Sequence, residues 1–480
     1  MLAQQTTREI SFPTADFEDL SVLTDAIDVA PTSWGWADKV CRVRLLRARD
    51  SRQYLGRGYP VGYLKGVSSI APIGLLVLAA GCAGPFVPGT VAHSLARPSM
   101  TGVGVGSETT VASGMANANT LTGKSSLMQL PYADSFMSAA GARAPRVVLV
   151  SFTEQTDSRF AVELLRTKRS VDGGKSFTQL KTGVPVNSMT QLADGSLVAV
   201  DFRTSKHGTP LSSTRTPPLV ATGAKQFKTT FWRSHDYGAT WVVQHGTITA
   251  GDAYDVVYFQ RGIVVGRDGS LLATTYGYLH GETKYRSMLA RSTDGGATWR
   301  IVSTIAKVPA GPKTGDMSEP TMARAADGDL VVVMRQSAPI NRNVCHGAWQ
   351  GAGLVITRSR DDGATWMPPR PLAGAGLDVH NVSSADPNLT RMSEGQLVLS
   401  YGRPGNRILV STDENGKTWG NMTLTDSAVS SGYTSIVALT ETTALQVGDH
   451  GSNWCFAMGS GLHKVGIWAR TIVLRDADSG

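Results

Sequence analysis

Five times the chain repeats nearly the same eight residues: Ser170-Val-Asp172-Gly-Gly174-Lys-Ser-Phe177, Ser234-His-Asp236-Tyr-Gly238-Ala-Thr-Trp241, Ser292-Thr-Asp294-Gly-Gly296-Ala-Thr-Trp299, Ser359-Arg-Asp361-Asp-Gly363-Ala-Thr-Trp366 and Ser411-Thr-Asp413-Glu-Asn-Gly416-Lys-Thr-Trp419. The shared form is S-x-D-x-G-x-[TS]-[WF], with one extra residue in the last copy. Successive aspartates are 64, 58, 67 and 52 residues apart, the spacing of a repeat architecture rather than of unrelated domains.

Each residue type has a local task. Asp accepts hydrogen bonds from backbone N–H groups and folds a tight turn, while Gly supplies the positive φ that other residues resist. The aromatic then leaves in a fixed direction and can bury its ring between neighbouring sheets. Strand-like runs such as Leu354-Val-Ile-Thr357 and Ile408-Leu-Val410 precede the turns, so each copy reads as a hairpin in a small antiparallel sheet. About sixty residues per repeat leaves room for four strands and their loops, one propeller blade. Four acidic-Gly turns, at Asp194-Gly, Asp268-Gly, Asp327-Gly and Glu394-Gly, fall between successive copies and place the inner strands.

The pattern resembles the Asp-box (BNR) repeat of the sialidase superfamily, over roughly residues 122–476. That resemblance implies an all-β fold, a six-bladed β-propeller of four-stranded antiparallel sheets. The sixth blade lacks a box and ends in Val465–Leu474. Because the box is a structural device, chemistry has to be argued from other residues.

The resemblance also implies a site. A sialidase-type hydrolase grips a sugar carboxylate with arginines, whose planar guanidinium groups match it in a fork. It attacks with a tyrosine assisted by a glutamate, and an aspartate protonates the leaving oxygen. Ser318-Glu319-Pro320 and the closing Met334-Arg335 resemble the family segment that carries the activating glutamate and the second arginine. In Tyr401-Gly-Arg403-Pro-Gly-Asn-Arg407, Arg403 is preferred over Arg407 as the third arginine. Tyr433, in Ser431-Gly-Tyr433-Thr-Ser, takes the nucleophile's place, and Asp157, in the loop before the first box, takes the acid's. Asp449 stands where the family often has a glutamate that orients the first arginine. That arginine belongs to an F/Y-R-I-P motif, and this chain has none. Gly123–Leu130 offers only a displaced Lys124, and Arg143-Ala-Pro145 only an R-x-P.

The sequence before the repeats has its own organisation. Residues 1–65 match nothing recognisable and switch from seven acidic and one basic residue in 1–38 to seven basic and one acidic in 39–57; a poorly ordered N-terminal extension is expected. In 66–82, the apolar run Ile70–Ala80 ends in Gly81-Cys82. Following Lys65, it has the form of an export signal too short to span a bilayer. Its Ala-Ala-Gly-Cys end resembles a bacterial lipobox, with Cys82 as the acylated residue. Residues 83–121, rich in Gly, Ser, Thr, Ala and Val, read as a low-complexity linker.

The expectation is an exported protein, lipid-anchored in the cell envelope or extracellular, and monomeric. Its substrates would be sialylated or other acidic glycans. Neither metal nor organic cofactor is expected: Cys41, Cys82, Cys345 and Cys455 have no metal spacing, and the histidines are scattered. The formal net charge of +8 is mild for 480 residues, and no basic run interleaved with aromatics suggests nucleic acid. Two alternatives stay open: a propeller glycosidase or lyase for a different acidic sugar, and a non-catalytic glycan-binding or assembly scaffold.

Overall fold

Leu197-Val-Ala-Val200 is buried at every position. Val198 and Val200 enter one apolar cluster while Leu197 and Ala199 enter another. Successive side chains on a strand point to opposite faces, so a strand dry on both faces sits in a sheet covered on both sides. The computed structural model describes residues 102–117, 129–141, 144–154, 165–206, 223–308, 315–337, 353–372, 385–402, 405–420, 422–428, 430–450 and 462–475. In it, six blades stack face to face in a ring.

Blade one is β2 (Gln129–Phe136), β3 (Val147–Thr153), β4 (Leu165–Ser170) and β5 (Thr178–Gln179). Blade two is β6 (Met189–Gln191), β7 (Leu197–Val200), β9 (Ala224–Ser234) and the first part of β10 (Val242–Val265), with the short β8 (Ser205–Lys206) beside β9. The second part of β10 continues into blade three with β11 (Leu271–Leu279), β12 (Arg286–Ser292) and β13 (Thr298–Ala306). Blade four is β14 (Met317–Arg324), β15 (Leu330–Gln336), β16 (Gly353–Ser359) and β17 (Arg370–Pro371). Blade five is β18 (Ala385–Arg391), β19 (Leu397–Gly402), β20 (Asn406–Val410) and β21 (Thr423–Asp426). Blade six is β22 (Thr434–Ala438), β23 (Thr443–His450), β24 (Leu462–Arg475) and, from the other end of the chain, β1 (Gly102–Asn117). Pairing within blades is antiparallel. A parallel contact of Thr247–Thr249 with Thr298–Arg300 merges blades two and three into one eight-stranded sheet.

The strand β1 corrects the sequence reading of 83–121 as a linker. Val465–Leu474 does belong to the last blade, but as its third strand. Residues 102–117 supply the fourth, pairing with β24 from Gly102↔Arg475 to Asn117↔Leu462. Small residues and β-branched Val and Thr look like a tether by composition, yet they suit a strand laid flat on a neighbour. Val111 and Ala112 enter the core between blades six and one. On the other side of blade six, toward Asp426 of blade five, Glu108 meets Arg470 at 3.0 Å and His450 at 2.9 Å.

The boxes behave as the sequence implied. All five sit between the third and fourth strands of blades one to five. In the fourth, Asp361 accepts from the Thr365 N–H at 2.8 Å and from the Thr365 and Ser359 hydroxyls, while the Gly363 N–H donates to Ser359 Oγ at 2.7 Å. These bonds, led by the Thr365 hydroxyl, hold the Asp361 carboxyl at about 2. Each aromatic packs into the core shared with the preceding blade: Phe177 between six and one, Trp241 between one and two, Trp299 between two and three, Trp366 between three and four, and Trp419 between four and five. The core between five and six is built from Met392, Ile408, Ile436, Ile472 and their neighbours without a box aromatic.

Candidate active site

The sequence-predicted residues divide into those the structure brings together and those it does not describe. Glu319, Arg335 and Tyr433 converge at the hub. Asp157, Arg403 and Cys82 lie outside the described residues, as do the other three cysteines and the whole of 1–101.

Glu319 and Arg335 sit at the open ends of the antiparallel pair β14–β15, where Ser318 faces Arg335. The out-and-back geometry makes residues sixteen apart in sequence neighbours in space, and Arg335 Nη1 donates to Glu319 Oε1 at 3.0 Å. The ladder slips between Ser318 and Thr321, and Glu319 there has φ 50. A bulge with a non-glycine residue in the left-handed region re-aims a side chain, and such positions cluster at functional sites. Burial lowers the pKa of Arg335, but the charges of Glu319 and Tyr433 more than reverse this and leave it raised.

Tyr433 immediately precedes β22. Ahead of it Gly432 has φ 82, and the Gly432 carbonyl lies so close to Gly402 that a Cβ there would come within 2.0 Å of its oxygen. Asp449, fully buried on β23, accepts from the Ser431 N–H at 2.9 Å and the Ser431 hydroxyl at 2.6 Å. The Ser431 oxygen in turn accepts from the Tyr433 N–H at 3.2 Å. The structure thus shows Asp449 supporting the turn that presents Tyr433. The Tyr433 ring packs against the cluster containing Tyr132 and Trp232, from blades one and two, which places it across the axis rather than on the rim.

Two further tyrosines complete the hub. Burial, followed by the Asp386 charge, pushes the Tyr132 phenol well above its ordinary value, with Tyr433 and Glu319 adding to the rise and Arg261 opposing it. Burial, followed by the Glu319 charge, does the same for Tyr276. Both stay protonated and neutral across the physiological range. Tyr276 also joins a run of rings with Phe202, Tyr258 and Tyr285, at centroid separations of 6.2, 5.3 and 5.2 Å from it.

Arg261 and Asp386 were not anticipated from the sequence. Their ion pair is almost wholly buried, at 2% and 0% side-chain exposure. Asp386 has a sequence signal in retrospect: Asp386-Pro387 stands eight residues before the Glu394-Gly turn, as Glu319-Pro320 stands eight before Asp327-Gly. The two are the same blade position, and Asp386 also has a positive φ, of 45. Arg407, the alternative third arginine, lies half-buried beside Tyr401 in blade five; burial lowers its pKa and Tyr401 partly offsets this.

Among the described residues one group of metal-capable side chains gathers, Glu108, Asp426 and His450. Arg470 already places its guanidinium 3.0 Å from both carboxylates, so the cation of that cluster is the protein's own.

The fold and the hub together define a six-bladed Asp-box propeller whose axis gathers an acid, a guanidinium and phenols from separate blades. Residues 218–447 match the family described as "BNR repeat-like domain", a match consistent with the BNR-repeat propellers of the sialidase superfamily. Similar solved structures include a protein of unknown function from Dyadobacter fermentans DSM 18053, with 16% identity, 77% of this chain and 99% of that chain covered, and a TM-score of 0.51. An α-L-arabinanase from Penicillium chrysogenum complexed with arabinobiose has 12% identity, the same coverage and a TM-score of 0.52. An α-L-arabinofuranosidase from Fusarium graminearum in complex with an iminosugar inhibitor has 12% identity, covers 72% and 93%, and has a TM-score of 0.50. At these identities the likeness is one of fold. No curated protein matches the chain.

Proposed function

We propose that the chain is a retaining exo-glycoside hydrolase of sialidase type, releasing a terminal acidic sugar from glycoconjugates. In the first half-reaction the Tyr433 oxygen bonds to the anomeric carbon as its proton passes to Glu319, and the leaving oxygen takes a proton from Asp157. In the second, Asp157 accepts a proton from water, the water oxygen bonds to the anomeric carbon, and Glu319 returns the proton to Tyr433. Arg335, with Arg403, holds the substrate carboxylate. The observation that carries the reading is the Glu319–Arg335 pair set beside Tyr433 at the hub. A phenol is a neutral nucleophile beside the substrate's own carboxylate, where an aspartate or glutamate would be repelled.

The absent F/Y-R-I-P arginine, and the commitment of Arg261 to Asp386, favour a second reading. Here the same machinery acts on an acidic sugar other than sialic acid. Export with lipid attachment at Cys82 belongs to the same proposal. The test is release from a fluorogenic sialoside by residues 83–480, alongside Tyr433→Phe and Asp157→Ala. Inactive wild type, or a Tyr433→Phe variant with intact turnover, would overturn the mechanism, and turnover confined to uronate glycosides would select the second reading.

A further inference from the structure

Five blades each send a side chain to one buried network beside Tyr433: Tyr132 from β2, Arg261 from β10, Glu319 from β14, Asp386 from β18 and Ser435 from β22. We propose that Asp386 and Arg261 are a positioning pair that fixes the carboxylate of Glu319 against Tyr433. The inference rests on Glu319 acting on Tyr433 as described above.

The argument begins with the two oxygens of Glu319. Oε1 accepts from Arg335 at 3.0 Å, and Oε2 accepts from the backbone N–H of Asp386 at 2.7 Å. A carboxylate held at both oxygens by donors from different blades has lost its rotational freedom. The Asp386 N–H accompanies a backbone turned to φ 45, a conformation an L-residue keeps only where its surroundings over-determine it.

Arg261 supplies that constraint. Its Nε donates to Asp386 Oδ1 at 3.0 Å, and its Nη2 pairs with Asp386 Oδ2 in the same fork, while the Gln260 amide donates to Asp386 Oδ1 as well. Arg261 is anchored on two further sides. Nη1 donates to Ser435 Oγ at 2.7 Å, and the guanidinium carbon lies 4.6 Å from the centre of the Tyr132 ring. The Ser435 hydroxyl donates to the Pro131 carbonyl at 2.8 Å. Ser435 is two residues from Tyr433, so the pair that holds the base also grips the strand that carries the nucleophile.

Stability alone is a poor reason for such a pair. Buried ion pairs can often be replaced by apolar residues without loss, whereas removing one partner strands a buried charge. What an apolar replacement cannot supply here is the placed N–H.

The test compares wild type with Asp386→Asn, Arg261→Met and the double variant, which removes both buried charges should a single variant fail to fold. Carboxyl-carbon NMR of labelled glutamate, with the Glu319 signal identified by its loss in Glu319→Gln, follows the titration of Glu319 whether or not the protein turns over any sugar. The Glu319 midpoint is expected to rise in Arg261→Met and in the double variant, because its charged form loses a placed donor. In Asp386→Asn the stranded Arg261 cation opposes that rise, so the double variant, with no net change of charge, is the deciding one. On a fluorogenic sialoside, kcat is expected to fall about 100-fold, as for a misplacement near 1 Å. KM should stay near wild type, and the acid limb of the kcat/KM profile should move with the midpoint. The double variant should recover thermal stability without recovering kcat. An unmoved midpoint in the double variant, or an unchanged kcat in folded variants, would overturn the positioning role. If wild type releases no sugar yet the midpoint moves, the pair's role stands and the hydrolase reading falls. If wild type and variants turn over alike, the hydrolase reading stands and the pair's role falls.

Discussion

Trimming the chain at the boundary its repeats suggest should open the ring. Residues 122–480 contain every box and every hub residue but lack β1, the outer strand of blade six. In the intact chain Val111 is 2% exposed and Ala112 7%. Burial contributes about 1.5–3 kcal/mol for such a valine and near 0.8 kcal/mol per buried carbon for the alanine. The half-exposed Glu108 contacts with Arg470 and His450 add at most about 1 kcal/mol. Roughly 2–5 kcal/mol is lost, a large part of the 5–15 kcal/mol that holds a typical domain. For a chain of this size each kcal/mol moves Tm by roughly 1–2 °C, so 122–480 should melt about 2–10 °C below 98–480. The trimmed protein also exposes the backbone edge of β24, a template for pairing with another chain, and size-exclusion chromatography should show self-association. A synthetic peptide spanning 98–120 added in trans should restore both. Equal melting temperatures and a monomeric trimmed protein would refute the assignment of β1 as the closing strand.

Other expectations follow from single positions. Gly363 has φ 89, and a Cβ there would lie 2.1 Å from Leu289 Cδ2 in the preceding blade, whereas Gly269 has φ 80 with nothing within 4 Å. Gly269→Ala should cost about 1–2 kcal/mol from its left-handed backbone alone, and Gly363→Ala about 2–5 kcal/mol with overpacking added, both read by chemical denaturation. Asp361, held at about 2, binds its proton less readily folded than unfolded. Its contribution is therefore complete above pH 4 and lost as pH falls from 4 through 2; Asp361→Asn should flatten the stability profile in that window alone. Arg335→Lys keeps the charge but not the fork, so KM for an acidic glycoside should rise roughly tenfold or more, the weight of a charge-assisted bond, while KM for a neutral aryl glycoside stays near wild type and kcat falls for both because Arg335 also holds Glu319.

The fold was legible because its determinants are local. A serine, an aspartate, a glycine and an aromatic at fixed offsets form their turn from their own backbone, as Ser359, Asp361, Gly363 and Thr365 do, and five copies give the repeat. The strand β1 was hidden because its partner lies at the far end of the chain. Nothing local in Gly102–Asn117 says that Leu462–Arg475 awaits it. The hub was half legible for the same reason. Glu319 and Arg335 share one hairpin, so their bond is a property of a short segment. Arg261 and Asp386 are 125 residues apart and meet through the curvature of the whole ring.

That network also changes how the hub's charge is counted. By sequence the site is basic, with Arg335 and Arg403 waiting for an anion. In the structure each described hub guanidinium already has a carboxylate: Arg335 has Glu319, and Arg261 has Asp386. Two cations and two anions cancel, and the flanking Tyr132 and Tyr276 are neutral phenols. On the proposed function, a substrate carboxylate would not be drawn in by net charge and would have to be recognised by the shape of a guanidinium. Five N–H donors allow that, since the bond to Glu319 uses Nη1 and a fork can address a second carboxylate along another edge. Two carboxylates on one guanidinium repel each other, however, and in the proposed mechanism the repulsion would ease as Glu319 takes up the proton of Tyr433. Substrate binding through Arg335 and proton transfer to Glu319 should therefore favour each other. Raising salt should weaken binding only slightly, because the charges involved are buried pairs that ions screen poorly. A steep salt dependence of KM would mean instead that exposed cations draw the substrate in.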